Sequence, residues 1–134
     1  VGLHVKKNGK LPSNESIGEV VEKCKNKNWL GLVVACVSPE IIENSVEEIK
    51  KLNISFGYKA NLWEAEEPVP VYKFASPDDK IGANPVETMG TRKDYTDVKF
   101  FEFSKKMIDM GATILGGCCE TKPSHIKKIS TLKN

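Results

Sequence analysis

The 134-residue sequence holds no apolar run near the roughly 20 residues that a bilayer-spanning helix needs. It has no leader pattern of charged start, apolar stretch and small-residue cleavage site. Neither sign of charge dominates: 20 Lys and Arg against 18 Asp and Glu leave a net charge of +2. The densest basic stretches, KKMIDM and IKKIS, have the spacing of a solvated helix face. No aromatic side chains interleave them, so neither a membrane nor a nucleic acid is expected as a partner. No CxxC motif occurs, and a disulfide between adjacent cysteines is strained, which leaves little room for thiol redox chemistry. No Met opens the chain, and a strand-like run, VGLHVK, starts at its first residue. The sequence therefore reads as a piece of something longer.

What is present suits one ordinary domain. Hydrophobic residues make up 40%, enough for a core and too many for a disordered chain. The four cysteines are Cys24, Cys36, Cys118 and Cys119. Nothing points to secretion, so a disulfide framework is not expected and a cytoplasmic, reducing location is. Thiols near glycines in that setting suggest metal binding or catalysis.

Apolar periodicity supplies the elements. Residues 1–6 read as a strand, and NGKLPSN as a turn. Ser16 with Glu19 forms a capping box before Ile17, Val20, Val21 and Cys24, which predicts a helix over 16–27. LGLVVAC, Leu30 to Cys36, is apolar throughout, as in a strand buried on both faces of a parallel sheet. Ser38-Pro39 opens a helix running to about residue 52, and ISFGY, Ile54 to Tyr58, is a third strand. Residues 59–95 carry four of the seven prolines and little periodicity, and read as a long irregular loop. Helical spacing resumes from Asp97 to Met110, and Gly111 is placed to end it. ATILGG is a fourth strand, and a last helix opens near Lys122-Pro123 with Ile126 and Ile129 inward. Strands alternating with helices imply parallel pairing and right-handed crossovers.

In such an architecture the carboxyl ends of all strands share one face, where these folds keep their chemistry. Cys36 ends the second strand, and Cys118-Cys119 end the fourth, so they can converge. Adjacent side chains in a strand point to opposite faces. The vicinal pair can share a target only if the backbone leaves strand geometry, which Gly116-Gly117 makes cheap. Three thiolates suit a soft or borderline metal, above all zinc, and three protein ligands leave a fourth position open. Buried core thiols account for GGCC equally well at this point, and Cys24 on its apolar helix face reads as a core thiol. His125, within the last helix, reads as a surface or hydrogen-bonded histidine rather than a ligand. His4 suggests no role.

ILGGCCETKPSHIKKI resembles the signature of homocysteine S-methyltransferases: GGCC, a short spacer, Pro, any residue, then His-Ile. GLVVACVSPEII is similar to their second motif, a strand ending in Asn-Cys followed by Pro. GKLPSNESI is similar to their Ser-Gly-Glu-Ser segment, and GYKANLW to the Tyr-Ala-Asn segment of some members. The resemblance covers nearly the whole chain, in the family's order.

It implies a (β/α)8 TIM barrel holding zinc through Cys36, Cys118 and Cys119. About four βα units, strands five to eight, would be present in residues 1–134. The amino-terminal half, with its Asp-Gly motif, has no counterpart. The implied activity transfers a methyl group to the thiol of homocysteine, forming methionine. The donor would be betaine, S-methylmethionine, S-adenosylmethionine or a methyltetrahydrofolate-derived group. Asn61 aligns with a polar position that approaches the metal in some members, and Glu15 with the family's Ser-Gly-Glu-Ser glutamate, a polar contact or loop anchor; both are expected as substrate-binding residues. The alternative is a non-catalytic zinc-binding remnant of such a barrel. Three departures stand out: Ala35 for the usual Asn before the first cysteine, Glu120 for a Gly after the pair, and Asn14 for a Gly before Glu15.

Overall fold

A computed structural model describes residues 1–64 and 89–132. Its elements are β1 (Gly2–Leu3), α1 (Ile17–Cys24), β2 (Leu32–Ala35), α2 (Pro39–Lys50), β3 (Phe56–Ala60), α3 (Asp97–Asp109), β4 (Ile114–Gly117) and α4 (Pro123–Ile129). A 3₁₀ turn, Ser130–Leu132, follows α4. Among the described residues no helix is long and apolar enough to cross a membrane.

The helix starts obey the expected capping chemistry. Ser16 Oγ accepts from the Glu19 N–H at 3.1 Å, and the Ser16 N–H donates back to the Glu19 carboxylate at 2.7 Å. Ser38 caps α2 ahead of Pro39, and Thr96 caps α3. Gly111, at φ +102°, ends α3 in a conformation that side chains rarely adopt.

The strands pair in parallel in the order β1-β2-β3-β4. Sequential order with right-handed crossovers puts the connecting helices on one face. A doubly wound sheet would instead reverse its strand order and carry helices on both faces. The sheet is therefore compatible with part of a barrel wall.

Register sorts the side chains between the two faces. One row runs Leu3, Val34, Tyr58 and Leu115, beside the pair Leu32 and Phe56. This face lies under the helices and joins Ile17, Ile41, Ile42, Val46, Ile49, Phe100, Phe103 and Met107 in the core. At its centre Ser104 Oγ donates to the Phe100 carbonyl at 2.7 Å, so the Tyr58 hydroxyl donates to Ser104 Oγ at 2.6 Å. Burial, partly offset by that Ser104 bond, pushes the Tyr58 phenol up to about 12. The opposite face carries Gly2, Val33, Gly57 and Ile114, then Ala35, Lys59 and Gly116. A Cβ on Gly57 would meet the Ile114 carbonyl oxygen at 1.9 Å, so glycine lets β3 and β4 close together there.

Four expectations need correction. β3 begins at Phe56 rather than Ile54 and runs to Ala60, because its pairing with Leu32–Ala35 sets the register. Lys59 and Ala60 thus belong to a strand and not to the loop of 59–95, of which residues 65–88 lie outside the described residues. β1 pairs only through Gly2 and Leu3. Ile126 is 42% exposed rather than inward, because His125 and Ile129, four apart on α4, occupy the core side of the helix.

Candidate metal centre

The three cysteines come from strands that are not neighbours. β2 and β4 flank β3, about 10 Å apart at two strand spacings. Backbone hydrogen bonds continue beyond the regular ladders and clamp both cysteine-bearing ends onto the end of β3. The Cys36 N–H donates to the Lys59 carbonyl at 2.7 Å, and the Asn61 N–H to the Val37 carbonyl at 2.9 Å. On the other side, the Cys118 N–H donates to the Ala60 carbonyl at 2.7 Å, and the Leu62 N–H to the Cys119 carbonyl at 3.0 Å.

The chain leaves strand geometry at both ends. Cys36 sits at φ +58°, in the left-handed region, and turns its thiol back across β3. The Asn61 side chain, 4% exposed, donates to the Cys36 carbonyl at 2.8 Å and accepts from the Trp63 N–H at 3.4 Å. It secures the turn that a non-glycine residue adopts reluctantly. After β4, the Thr121 hydroxyl donates to the Cys118 carbonyl at 2.6 Å. A Cβ on Gly117 would lie 2.3 Å from that hydroxyl oxygen, so the second glycine is needed for this turn.

The result is a triangle of sulfurs. Cys36 Sγ lies 3.7 Å from Cys119 Sγ, and Cys118 Sγ lies 3.8 Å from Cys119 Sγ. All three fall within 4.8 Å of one another, and all are free thiols, half-buried. Two thiolates bound to a tetrahedral zinc at about 2.3 Å stand about 3.8 Å apart. The donor set and its spacing therefore fit a thiophilic metal with one coordination position left over.

Electrostatics divides the thiols. Burial, hydrogen bonding with Cys118 and its charge push Cys36 up to about 12. Burial also opposes ionisation of Cys118, but hydrogen bonds from Cys36, the Cys119 backbone and the Cys119 thiol, with the charge of Lys59, outweigh it and lower its pKa. Cys119 is raised by burial and by the neighbouring Cys118, against the bond from Cys36. Without metal, Cys118 is the most readily ionised of the three, between two thiols that hold their protons more tightly.

The homocysteine S-methyltransferase family model matches residues 1–132. This chain belongs to that family. It is 29% identical over 128 residues to homocysteine S-methyltransferase 1 of Arabidopsis thaliana, covering 90% of this chain and 33% of that protein. It is 28% identical over 124 residues to homocysteine S-methyltransferase 1 of Brassica oleracea var. italica, covering 89% of this chain and 32% of that one. Homocysteine S-methyltransferase 2 of Arabidopsis thaliana is 29% identical over 119 residues. The chain spans about a third of the length of these curated relatives.

Two departures from the family's glycines fall where the backbone is left-handed. Asn14 lies at φ +74° and Glu120 at φ +62°. Asparagine tolerates that region, whereas glutamate is uncommon there. The Glu120 carboxylate accepts from the Thr91 hydroxyl at 2.7 Å. It ties the segment after β3 to the end of β4.

The remaining residues singled out in the sequence are placed as follows. Glu15 lies in the loop before α1, where Ser13 donates a short hydrogen bond to its carboxylate and Lys23 bridges to it at 3.1 Å. Those contacts, the Ser13 bond first, lower its pKa. They anchor the loop to α1. His125 is 4% exposed, and both ring nitrogens are engaged. Its Nδ1 accepts from the Lys122 N–H at 2.8 Å, so the proton sits on Nε2, which donates to the Tyr95 carbonyl at 3.1 Å. It is a hydrogen-bonded helix-start residue, as expected. Cys24 ends α1, half-buried and outside the cluster.

Two neighbours of the site escaped the sequence reading. His4 Nδ1 donates to the Ala35 carbonyl at 3.1 Å, just before Cys36. Lys59 occupies the open face of β3 in register with Ala35 and Gly116. A charged residue between Tyr58 and Ala60, both buried, was the available signal.

Proposed function

We propose that this chain supplies the zinc-binding part of a homocysteine S-methyltransferase barrel, strands five to eight of a (β/α)8 wall. The barrel would transfer a methyl group to the homocysteine thiol and so form methionine. The sulfur triangle, with edges of 3.7 and 3.8 Å and room for one more ligand, carries this reading. Cys36, Cys118 and Cys119 would hold zinc. When bound there, zinc supplies an open position and lowers the pKa of an incoming thiol, making it a nucleophile at neutral pH. The chain's own share is positioning. Asn61 and the backbone clamps from β3 fix the thiols, and Thr121 and Glu120 hold the turn after them. A reducing compartment such as the cytoplasm would keep the cluster as thiols.

The four described strands would form half of an eight-stranded wall, so the 134-residue chain alone is expected not to turn over. Metal analysis followed by homocysteine titration tests the reading on the full polypeptide. Stoichiometric zinc, with a proton released as homocysteine binds, is the expected result. Zinc that ignores homocysteine would instead identify a closed structural site, the non-catalytic alternative.

A further inference from the structure

Lys59 is a charged residue in the middle of a parallel sheet, on a strand paired on both sides. Its neighbours Tyr58 and Ala60 are buried, and Lys59 itself is exposed on the opposite face. That face is otherwise small or apolar: Gly2, Val33 and Ala35, then Gly57, Ile114 and Gly116. Among the described residues no salt bridge engages Lys59. Ala35 and Gly116, on either side of it in register, leave space around its stem.

Its position relative to the thiols is fixed by register. Cys36 follows Ala35 directly, and its N–H is bonded to the Lys59 carbonyl. Cys118 lies two residues beyond Gly116, about 6.6 Å along the strand at about 3.3 Å per residue. The ammonium charge reaches the Cys118 thiol electrostatically. Three thiolates around a divalent metal carry a net negative charge, yet an ammonium two rows away is not consumed by coordination.

We propose that Lys59 is a binding residue for a substrate carboxylate, on the open face of the sheet beside the thiol cluster. This deepens the methyltransferase reading and rests on it. Homocysteine places its carboxylate three carbons from its sulfur. That is a span suited to a sulfur at the metal and a carboxylate at a lysine one or two strand residues away. A carboxylate on the methyl donor offers the same chemistry from the other reactant. A charge-assisted hydrogen bond in such a site is stronger than a neutral one, and its loss costs about 10- to 100-fold in affinity.

The test uses the full-length, metal-loaded polypeptide, with cobalt replacing zinc as a spectroscopic probe. Homocysteine and 3-aminopropane-1-thiol, the same molecule without its carboxylate, are titrated against wild type, Lys59→Met and Lys59→Arg. If both thiols leave the wild-type cobalt spectrum unchanged, the methyltransferase reading fails, and with it the premise for Lys59. If wild type responds, Lys59→Met is expected to weaken homocysteine about 10- to 100-fold and spare the decarboxylated thiol. Lys59→Arg should recover part of the loss. A carboxylate borne by the donor is detected in the same variants as a rise in KM for betaine that S-adenosylmethionine lacking its carboxyl group does not show. Either carboxylate-dependent loss supports the proposal. No loss, or equal losses with and without the carboxylate, overturns it. Unchanged cobalt content in both variants shows that the fold and the cluster are intact.

Discussion

The two faces of the sheet are built from different kinds of residue. Under the helices, Leu3, Leu32, Val34, Phe56 and Tyr58 are large and nearly inaccessible, and they interlock with Phe100, Phe103 and Met107. Tyr58 packs edge-on to Phe103, with ring centroids 4.9 Å apart. Across the backbone, Val33, Ala35, Gly57, Lys59 and Gly116 are small, or in one case charged. The covered face stabilises the fold by removing apolar area from water. The other face leaves space, and at its carboxyl end stand the three thiols. The contrast predicts that changes on the two faces fail differently: one set unfolds the chain, the other empties the site.

The sharpest way to break that contrast is Cys118→Ser. Serine keeps the volume but removes one of three thiolates, so metal affinity should fall by more than the ~10- to 100-fold that an outer-shell partner commands. Unfolding of the metal-free chain should be nearly unchanged, because Cys118 is half-buried and belongs to no core cluster. Metal content by mass spectrometry of the native protein, beside a denaturant curve, reads both. A large loss of metal-free stability would show that the cluster is part of the core.

Phe100→Ala makes the opposite cut. Phe100 is fully buried and touches Tyr58, Phe103 and His125. Truncation should cost about 3–5 kcal/mol, read from a urea transition. Below the transition, metal binding should persist with little change in affinity. A proportionate loss of both would join the two faces into one energetic unit.

The covered face was legible because it is periodic. Ile17, Val20 and Val21, or Ile41, Ile42, Val46 and Ile49, declare a helix by spacing alone, and their caps declare its start. The glycine pair and its cysteines were legible as a strand end. Ile126 misled because short apolar spacing cannot tell which of two adjacent faces a seven-residue helix buries. Lys59 was missed for a different reason. A strand facing helices on one side and open space on the other need not alternate cleanly, and a proline-rich segment begins soon after it. The start of β3 depended on its partner's register, which local sequence does not encode. Asn61 could be placed near the site by resemblance, but its grip on the Cys36 carbonyl is a tertiary fact.

Acidity divides the faces again. With Cys36 pushed up to about 12 and Cys119 also raised, both thiols hold protons at neutral pH, whereas Cys118 is lowered. Metal binding needs all three as thiolates. At least two protons should therefore leave per metal bound near neutrality, and affinity should rise at least about 100-fold per pH unit there. Competition with a chelator of known pH dependence measures the slope. Tyr58 on the covered face, also pushed up to about 12, remains a phenol throughout this range. A slope near zero would mean that the cluster ionises without metal, contrary to the upward shifts of Cys36 and Cys119.

Asn61 is the residue on which the contrast can be sharpened most finely, because it is buried like the core yet attached to the site. Its amide donates to the carbonyl of a cysteine held at φ +58°, and its oxygen receives the Trp63 N–H. Asn61→Ala leaves both backbone groups without that partner, at a cost of about 1–3 kcal/mol to the metal-free chain. It also frees Cys36 to relax toward ordinary backbone geometry, which would carry its sulfur away from Cys119. Metal affinity should then drop by about 10- to 100-fold, as for other residues that orient a ligand without binding the metal. Asn61→Asp separates the two effects. It keeps the acceptor for Trp63 but sets a carboxylate against the Cys36 carbonyl, so the turn at Cys36 loses its donor while the far contact survives. If the alanine variant loses stability and the aspartate variant loses metal affinity at least as strongly, the turn at Cys36 is what holds the third thiol in place. If both variants keep full metal affinity, the backbone clamps from β3 hold that thiol without the side chain's help.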